Sequence, residues 1–201
     1  MSNDPSKNER PILLRGDKVA LAMMSQDDVP SIARWHQNLE FTAMMGFPGE
    51  VQTSEMREEA YQRSTRIKDD AIEFGILQLA THRLVGFGGL FNMNAVKASF
   101  FVGISPDHWG AGLGTEATQL ICEYGFFFRS LSNIHLDVKS YNHRAIRVYE
   151  RVGFKHVGRL RNAVVYNGRH HDEVLMDMVR ADMKLTHVGS FASALEPKPN
   201  P

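Results

Sequence analysis

The sequence predicts an α+β sandwich, a mixed and mostly antiparallel sheet with helices on both faces, and three observations carry that prediction. Residues 71–80, 83–93 and 97–105 are strand-like runs joined by links as short as "TH" and "NAV", which suit antiparallel neighbours. Two helical stretches precede those runs. From Leu113 the apolar period becomes helical, and strand and helix signals then alternate to residue 180.

In chain order, "KVALAMM" (18–24) is the first strand. "SQDDVPSIARWHQN" (25–38) is a capped helix with Ser25 or Asp27 near its start and Trp35 on its apolar side. Residues 52–68 form a highly charged helix opening near Thr53 or Ser54. The three hairpin strands follow. Ala117, Leu120, Ile121, Tyr124 and Phe128 then fall at i, i+3, i+4, i+7 and i+11 of a helix. "IHLDVK" (134–139) alternates, with Ile134, Leu136 and Val138 on one face. A short helix at 143–152 and strands near 154–161 and 171–180 complete a sheet of about seven strands.

The chain of 201 residues suits one sizeable domain: a flexible start over 1–10, a domain over 11–184 and a loose tail over 185–201. Lys plus Arg and Asp plus Glu are equal at 23 each, which removes the electrostatic case for a nucleic-acid or membrane-surface partner. A single cysteine, Cys122, excludes an intrachain disulfide framework. No apolar run approaches the roughly 18 residues of a membrane span, and the polar start "MSNDPSKNERP" is no secretory signal, so the expected address is cytoplasmic.

"DHWGAGLGTEA" (107–117) sets Gly110, Gly112 and Gly114 at alternate positions ahead of a helix. Such a loop holds phosphate, and three kinds are known. A Walker-type loop needs a Gly-Lys-Ser/Thr end, and no lysine lies between Lys97 and Lys139. A dinucleotide loop needs G-x-G-x-x-G after the first strand of a βαβ series, whereas hairpins precede this one. Asp137, the one plausible ribose-binding acid, lies inside a strand. The third kind presents backbone N–H groups and a helix N-terminus to the pyrophosphate of coenzyme A.

"GISPDHWGAGLGTEATQLICEYGFFF", followed by "IHLDVKSYNHRAIRVYERVGFKHVGRLR", resembles the paired signature of the GCN5-related N-acetyltransferase (GNAT) superfamily. The likeness is strongest to the branch of ribosomal-protein N-terminal acetyltransferases and spermidine acetyltransferase, and it covers about residues 12 to 183. Gly112 and Gly114 fill the glycine positions of the Arg/Gln-x-x-Gly-x-Gly/Ala loop, and Trp109 replaces its first residue. Asn142, Ala145, Tyr149, Gly153 and Phe154 match the second motif.

The resemblance implies a central sheet splayed between the fourth and fifth strands, acetyl-CoA as co-substrate with no metal, and direct transfer to a primary amine in a ternary complex. The acceptor is a small-molecule amine such as a polyamine, or a protein N-terminal α-amine, and the protein acts as a monomer or homodimer. Coenzyme contacts are expected from Phe101, Val102, Gly103 and Ile104, from Trp109, Gly110, Ala111, Gly112, Leu113, Gly114 and Thr115, and from Asn142, Ala145 and Tyr149. Gly103 marks either a bulge at the splay or a plain packing glycine. Tyr149 is the candidate acid that protonates the leaving thiolate. Asn142 serves as an N-cap, as a hydrogen-bonding group for the pantetheine arm or a tetrahedral intermediate, or as both. A non-catalytic acyl-CoA-binding module and a dinucleotide-dependent oxidoreductase are the competing readings.

No general base stands out. Glu73, His108, His36 and Glu40 each have a solvated surface role as the alternative, and a water chain would also serve. Cys122 lacks a neighbouring histidine, which disfavours a covalent acetyl-enzyme. Trp35, Glu40, Phe41, Glu73 and Tyr166 are candidate acceptor-site residues, and the acidic excess over 50–73 favours a cationic acceptor. "YNGRHHDE" (166–173) is read as a hairpin turn and not a metal site. Arg144, Arg147 and Arg151 either reach the 3′-phosphate of coenzyme A or form a solvated helix face.

Overall fold

The computed structural model describes residues 10–64, 70–184 and 186–188. Strands β1 (Ile12–Arg15) and β2 (Val19–Met23) form the first antiparallel pair. Ser25 accepts from Asp27 N and Asp28 accepts back from Ser25 N, a reciprocal cap that starts a short turn ahead of α1 (Val29–His36). The predicted helix ends sooner than its pattern. Asn38 opens a separate helix α2 (Leu39–Met44) by accepting from Phe41 N at 3.0 Å. Helix α3 runs over Ser54–Ser64, and the rest of the predicted 52–68 helix lies largely outside the described residues.

Strands β3 (Ile72–Gln78), β4 (Leu84–Phe91) and β5 (Lys97–Ile104) make the expected meander. Helix α4 (Leu113–Glu123) runs on into a π turn at Tyr124–Phe128, and β6 (Asn133–Lys139) and α5 (His143–Val152) follow. The hairpin β7 (Lys155–Tyr166) and β8 (Arg169–Val179) turns at Asn167 and Gly168, both at positive φ, as an Asn-Gly two-residue turn requires.

One sheet results, in the order β1-β2-β3-β4-β5-β6-β8-β7. Among the described residues it has eight strands against about seven expected, because β1 was not foreseen. Only Leu14 of that strand is buried, so four residues carried almost no alternation to read.

The two faces bury different clusters. Ile134, Leu136 and Val138 of β6 join Phe100 of β5 and Leu120 and Ile121 of α4 in the main core, at about 1.5–3 kcal/mol for each large side chain removed from water. On the other face Ile32 of α1, Phe41 of α2 and Phe87 of β4 form a smaller aromatic cluster, with Trp35 and Phe101 packed against it.

The sheet is broken at its centre. β5 pairs with β4 along its length but meets β6 in parallel only at Lys97, Ala98 and Ser99, opposite Asn133, Ile134 and His135. Beyond Ser99 the strands part, and β6 continues against β8 alone. No bulge at Gly103 produces this splay: Gly103 pairs with Phe87 in unbroken register. A Cβ there would meet Met45 Sδ at 2.8 Å and Phe41 Cζ at 3.3 Å, so Gly103 admits α2 against the strand.

At the far end of α4 the fully buried Glu123 carboxylate accepts from Gln119 Nε2 and from the N–H groups of Thr186, His187 and Val188. Burial alone would raise its pKa, and these hydrogen bonds outweigh burial and hold it below the ordinary carboxylate value.

Candidate active site

A cavity of about 430 Å³ lies where β5 and β6 part, within the size range of ligand sites, about 300–1,000 Å³. One wall is the glycine loop. Gly110 and Gly112 sit at φ +81, a left-handed conformation that strains any residue with a Cβ. Gly112 is the N-cap of α4 and supplies no side-chain cap; the N–H groups of Thr115 and Glu116 bond back to its carbonyl. Among the described residues no acceptor takes the N–H of Leu113 or Gly114, so the helix start presents donors and its positive dipole end to the cavity. Lys18 adds a cation from the β1–β2 turn, its Nζ 3.5 Å from where a Cβ on Gly112 would stand.

The opposite wall is α5. Arg144, Arg147 and Arg151 all line the cavity, together with Ala145, Val148 and Tyr149. Among the described residues they are the only charged ones in its lining, and no carboxylate accompanies them. Arg144 lies over the Trp109 ring, 3.8 Å from its centroid, and burial lowers its pKa against the pull of Glu40. The arginine stripe thus faces the cavity and is not a wholly solvated face.

Trp109 does more than fill a motif position. Its Nε1 donates to Ile104 O at 2.7 Å, which ties the loop to the end of β5. Hydrogen-bonding groups alternate sides along a strand, so Val102 turns its backbone N–H and C=O to the same unpaired edge as Ile104.

Tyr149 is buried at the inner end of the cavity, edge-on to Phe100 and packed against Phe154, with ring centroids 5.9 and 5.8 Å away. Burial, with smaller effects from Cys122 and Asp137, pushes its phenol well above the ordinary value of 10.0, so it is protonated throughout the neutral range. Asn142 caps α5 by accepting from Ala145 N at 3.1 Å and donates to Met44 O at 2.9 Å. It therefore fastens α2 to α5 across the break.

Of the sequence-predicted coenzyme residues, Val102, Gly103, Ile104, Trp109, Gly110, Gly112, Gly114, Thr115, Asn142, Ala145 and Tyr149 line this cavity. Three do not. The Leu113 side chain is buried in the core, Ala111 is exposed outside the lining, and Phe101 turns to the opposite face, where it lines a second, smaller cavity. Arg144, Arg147 and Arg151 were ambiguous in sequence, because a helical stripe does not state which side it faces.

The candidate acceptor residues do not converge. Phe41 lines the coenzyme-side cavity, and Trp35 stacks at 7° on Phe87 in the aromatic cluster. Glu40 is exposed near Arg144. Glu73 is half-buried on β3, its pKa raised by burial against the opposing charge of Arg57. Tyr166 packs on Tyr141 with centroids 4.7 Å apart, at the β7–β8 hairpin. His36 is a core residue bonded to Ile32 O at 2.9 Å, and burial lowers its pKa. His108 Nδ1 is held by Ser105 Oγ at 2.7 Å. Burial raises the Cys122 thiol far above its ordinary value, which removes it as a nucleophile.

His171 packs against Tyr141, and Asp172 bonds Arg159 and Asn162 N, so the histidine run converges on no common point. A closer set of ligand-type atoms, on Asp17, Glu116 and His187, lies within 4.8 Å, but the Glu116 carboxylate already accepts from Asp17 N and Lys18 N.

The acetyltransferase (GNAT) domain family matches residues 18–155. The chain belongs to this family. Among GNAT relatives, the Spermidine N(1)-acetyltransferase of Escherichia coli (strain K12) is 31% identical over 101 residues, 50% of this chain and 54% of that protein. The Probable N-acetyltransferase YjcK of Bacillus subtilis (strain 168) is 32% identical over 118 residues, 57% of this chain and 65% of that protein. The chain thus spans about half to two-thirds of the length of these relatives. The GNAT fold is matched by the crystal structure of spermidine N-acetyltransferase from Vibrio cholerae in complex with CoA and spermine, with a TM-score of 0.75 and 24% identity over 83% of this chain and 98% of that one. No helix among the described residues is long and apolar enough to cross a membrane.

Proposed function

We propose that this protein is an N-acetyltransferase that moves the acetyl group of acetyl-CoA directly to a primary amine of a small cationic acceptor, of the kind spermidine represents. The observation that carries this reading is the cavity at the broken sheet: a glycine loop and helix start on one wall, three arginines on the other and a protonated tyrosine at the inner end. Its donors fit a ligand with several phosphates. The Gly112–Gly114 N–H groups suit a pyrophosphate, and the open edge of β5 at Val102 suits the amides of a pantetheine arm. Tyr149 would donate a hydrogen bond to the sulfur as the thioester breaks; a model thiol has a pKa of about 8.5, so modest help suffices. The buried, raised Cys122 thiol supports direct transfer over a covalent acetyl-enzyme.

The test is incubation with labelled acetyl-CoA and a panel of spermidine, a short peptide with a free α-amine and an aminoglycoside. Transfer to spermidine supports the small-amine reading, and transfer to the peptide alone replaces the acceptor. Stabilisation by NAD(H) without stabilisation by coenzyme A would overturn the coenzyme assignment.

A further inference from the structure

On the opposite side of the break lies the second cavity, of about 70 Å³. Met44, Met45, Val102, Asn142 and Tyr149 line both, so the two spaces meet at the point where the sheet opens. Their charges differ. The larger carries arginines, and the smaller carries Asp137 and Lys139. Asp137 is thus the only carboxylate in the lining of either, among the described residues.

The β6 strand explains its placement. Ile134, Leu136 and Val138 are buried in the main core, so alternation turns Asp137 and Lys139 to the other face, the face of Phe101. Lys139 Nζ stands 3.3 Å from Asp137 Oδ2 and is also held, in a closer contact, by Glu173 across the β6–β8 pairing. Glu173 can keep Lys139 when another cation comes to Asp137, whose side chain is 57% exposed. Gly46, at φ +94, leads the chain past this point; a Cβ there would stand 3.0 Å from Lys139 Cε.

We propose that Asp137 receives the ammonium of the acceptor and takes up the proton it must lose, from the side of the sheet opposite the coenzyme. The inference rests on the acetyltransferase reading and assigns the acceptor end of the same site. The ammonium gives one proton to the Asp137 carboxylate, which passes it to solvent. The freed lone pair forms the bond to the acetyl carbonyl carbon, and the carbon–sulfur bond breaks with its electron pair on sulfur. Sulfur gains a proton from Tyr149, and the second proton lost by nitrogen restores the phenol. The net result is one amide, one thiol and one proton released.

The experiment uses the full chain with spermidine, acetyl-CoA and coenzyme A. In Asp137→Asn, kcat/KM for spermidine should fall by about tenfold or more, the scale of one lost charge-assisted hydrogen bond. Calorimetry should show weaker spermidine binding to the coenzyme A-bound variant, with acetyl-CoA affinity within about twofold of wild type. Asp137→Glu should recover part of the loss, which a merely structural defect would not. Unchanged spermidine kcat/KM and binding in folded Asp137→Asn overturn the assignment of Asp137 alone. A wild-type chain that binds coenzyme A but acetylates neither spermidine nor any other amine of the panel overturns the amine-acceptor reading, and Asp137 with it.

Discussion

Gly114→Ala and Gly114→Leu should together separate coenzyme binding from folding at the start of α4. Gly114 is the second residue of α4 and, unlike Gly110 and Gly112, has no positive φ. A Cβ at this position would lie 3.4 Å from Ile104 Cγ1, an ordinary van der Waals contact, and would meet no backbone. Replacing a helical glycine by alanine stabilises by up to about 1 kcal/mol, and by less in a first turn. For a chain of this size that is a rise in Tm of roughly 1–4 °C. The loop pattern admits alanine here, so Gly114→Ala should keep its acetyl-CoA affinity, whereas the larger side chain of Gly114→Leu would stand in the lining of the cavity, beside donors that a pyrophosphate must approach closely. Acetyl-CoA affinity of the leucine variant should therefore fall by at least about tenfold, or ~1.4 kcal/mol. Thermal melts without ligand and calorimetry with acetyl-CoA read folding and binding separately. Wild-type affinity in the folded leucine variant would refute the placement of the pyrophosphate at the start of α4. Gly112→Ala is less clean, since its φ of +81 adds strain of about 1–2 kcal/mol to any steric effect.

Tyr149→Phe should lower kcat while leaving acetyl-CoA affinity nearly intact, and unchanged turnover across the pH range would remove the acid role. Arg147→Gln and Arg151→Gln should each reduce the preference for coenzyme A over 3′-dephospho-coenzyme A, measured as the ratio of their Kd values; an unchanged ratio in both returns the stripe to a general electrostatic role. Glu123 has a folded pKa held below its ordinary 4.5, so its stabilisation is complete above that value and is lost as pH falls through the lower folded value. Melts in acid should show this loss in the wild type and a flatter profile in Glu123→Gln. Gly89→Ala should lower Tm before it alters coenzyme affinity, because a Cβ there collides with the Ile72 carbonyl oxygen.

What the sequence made legible was local. The glycine spacing and the Asn142, Ala145 and Tyr149 series each lie within a few residues of chain, and all the groups they involve face one cavity. The Asn-Gly turn was equally plain, because its φ requirement is met by few dipeptides. Features decided by distant chain were not. The arginine stripe has one periodicity whether it faces a ligand or solvent, and only the loop opposite it tells which. The alternation of "IHLDVK" already turned Asp137 away from the core, yet what occupies that side depends on α2 folding back from nearly a hundred residues earlier. Trp35 and Phe41 were candidate acceptor residues from the entry-helix segment; in the fold their rings pack against Phe87 and β5.

The half-made contact between β5 and β6 means that the sheet is two leaves stitched along three residue pairs, β1 to β5 on one side and β6 to β8 with β7 on the other. A pantetheine arm bonded to the open edge at Val102 would act as a short strand of foreign chemistry that completes the seam. Coenzyme would then be part of the molecule's mechanical continuity as well as its reagent. Amide hydrogens of Val102 and Ile104 would exchange more slowly once it binds.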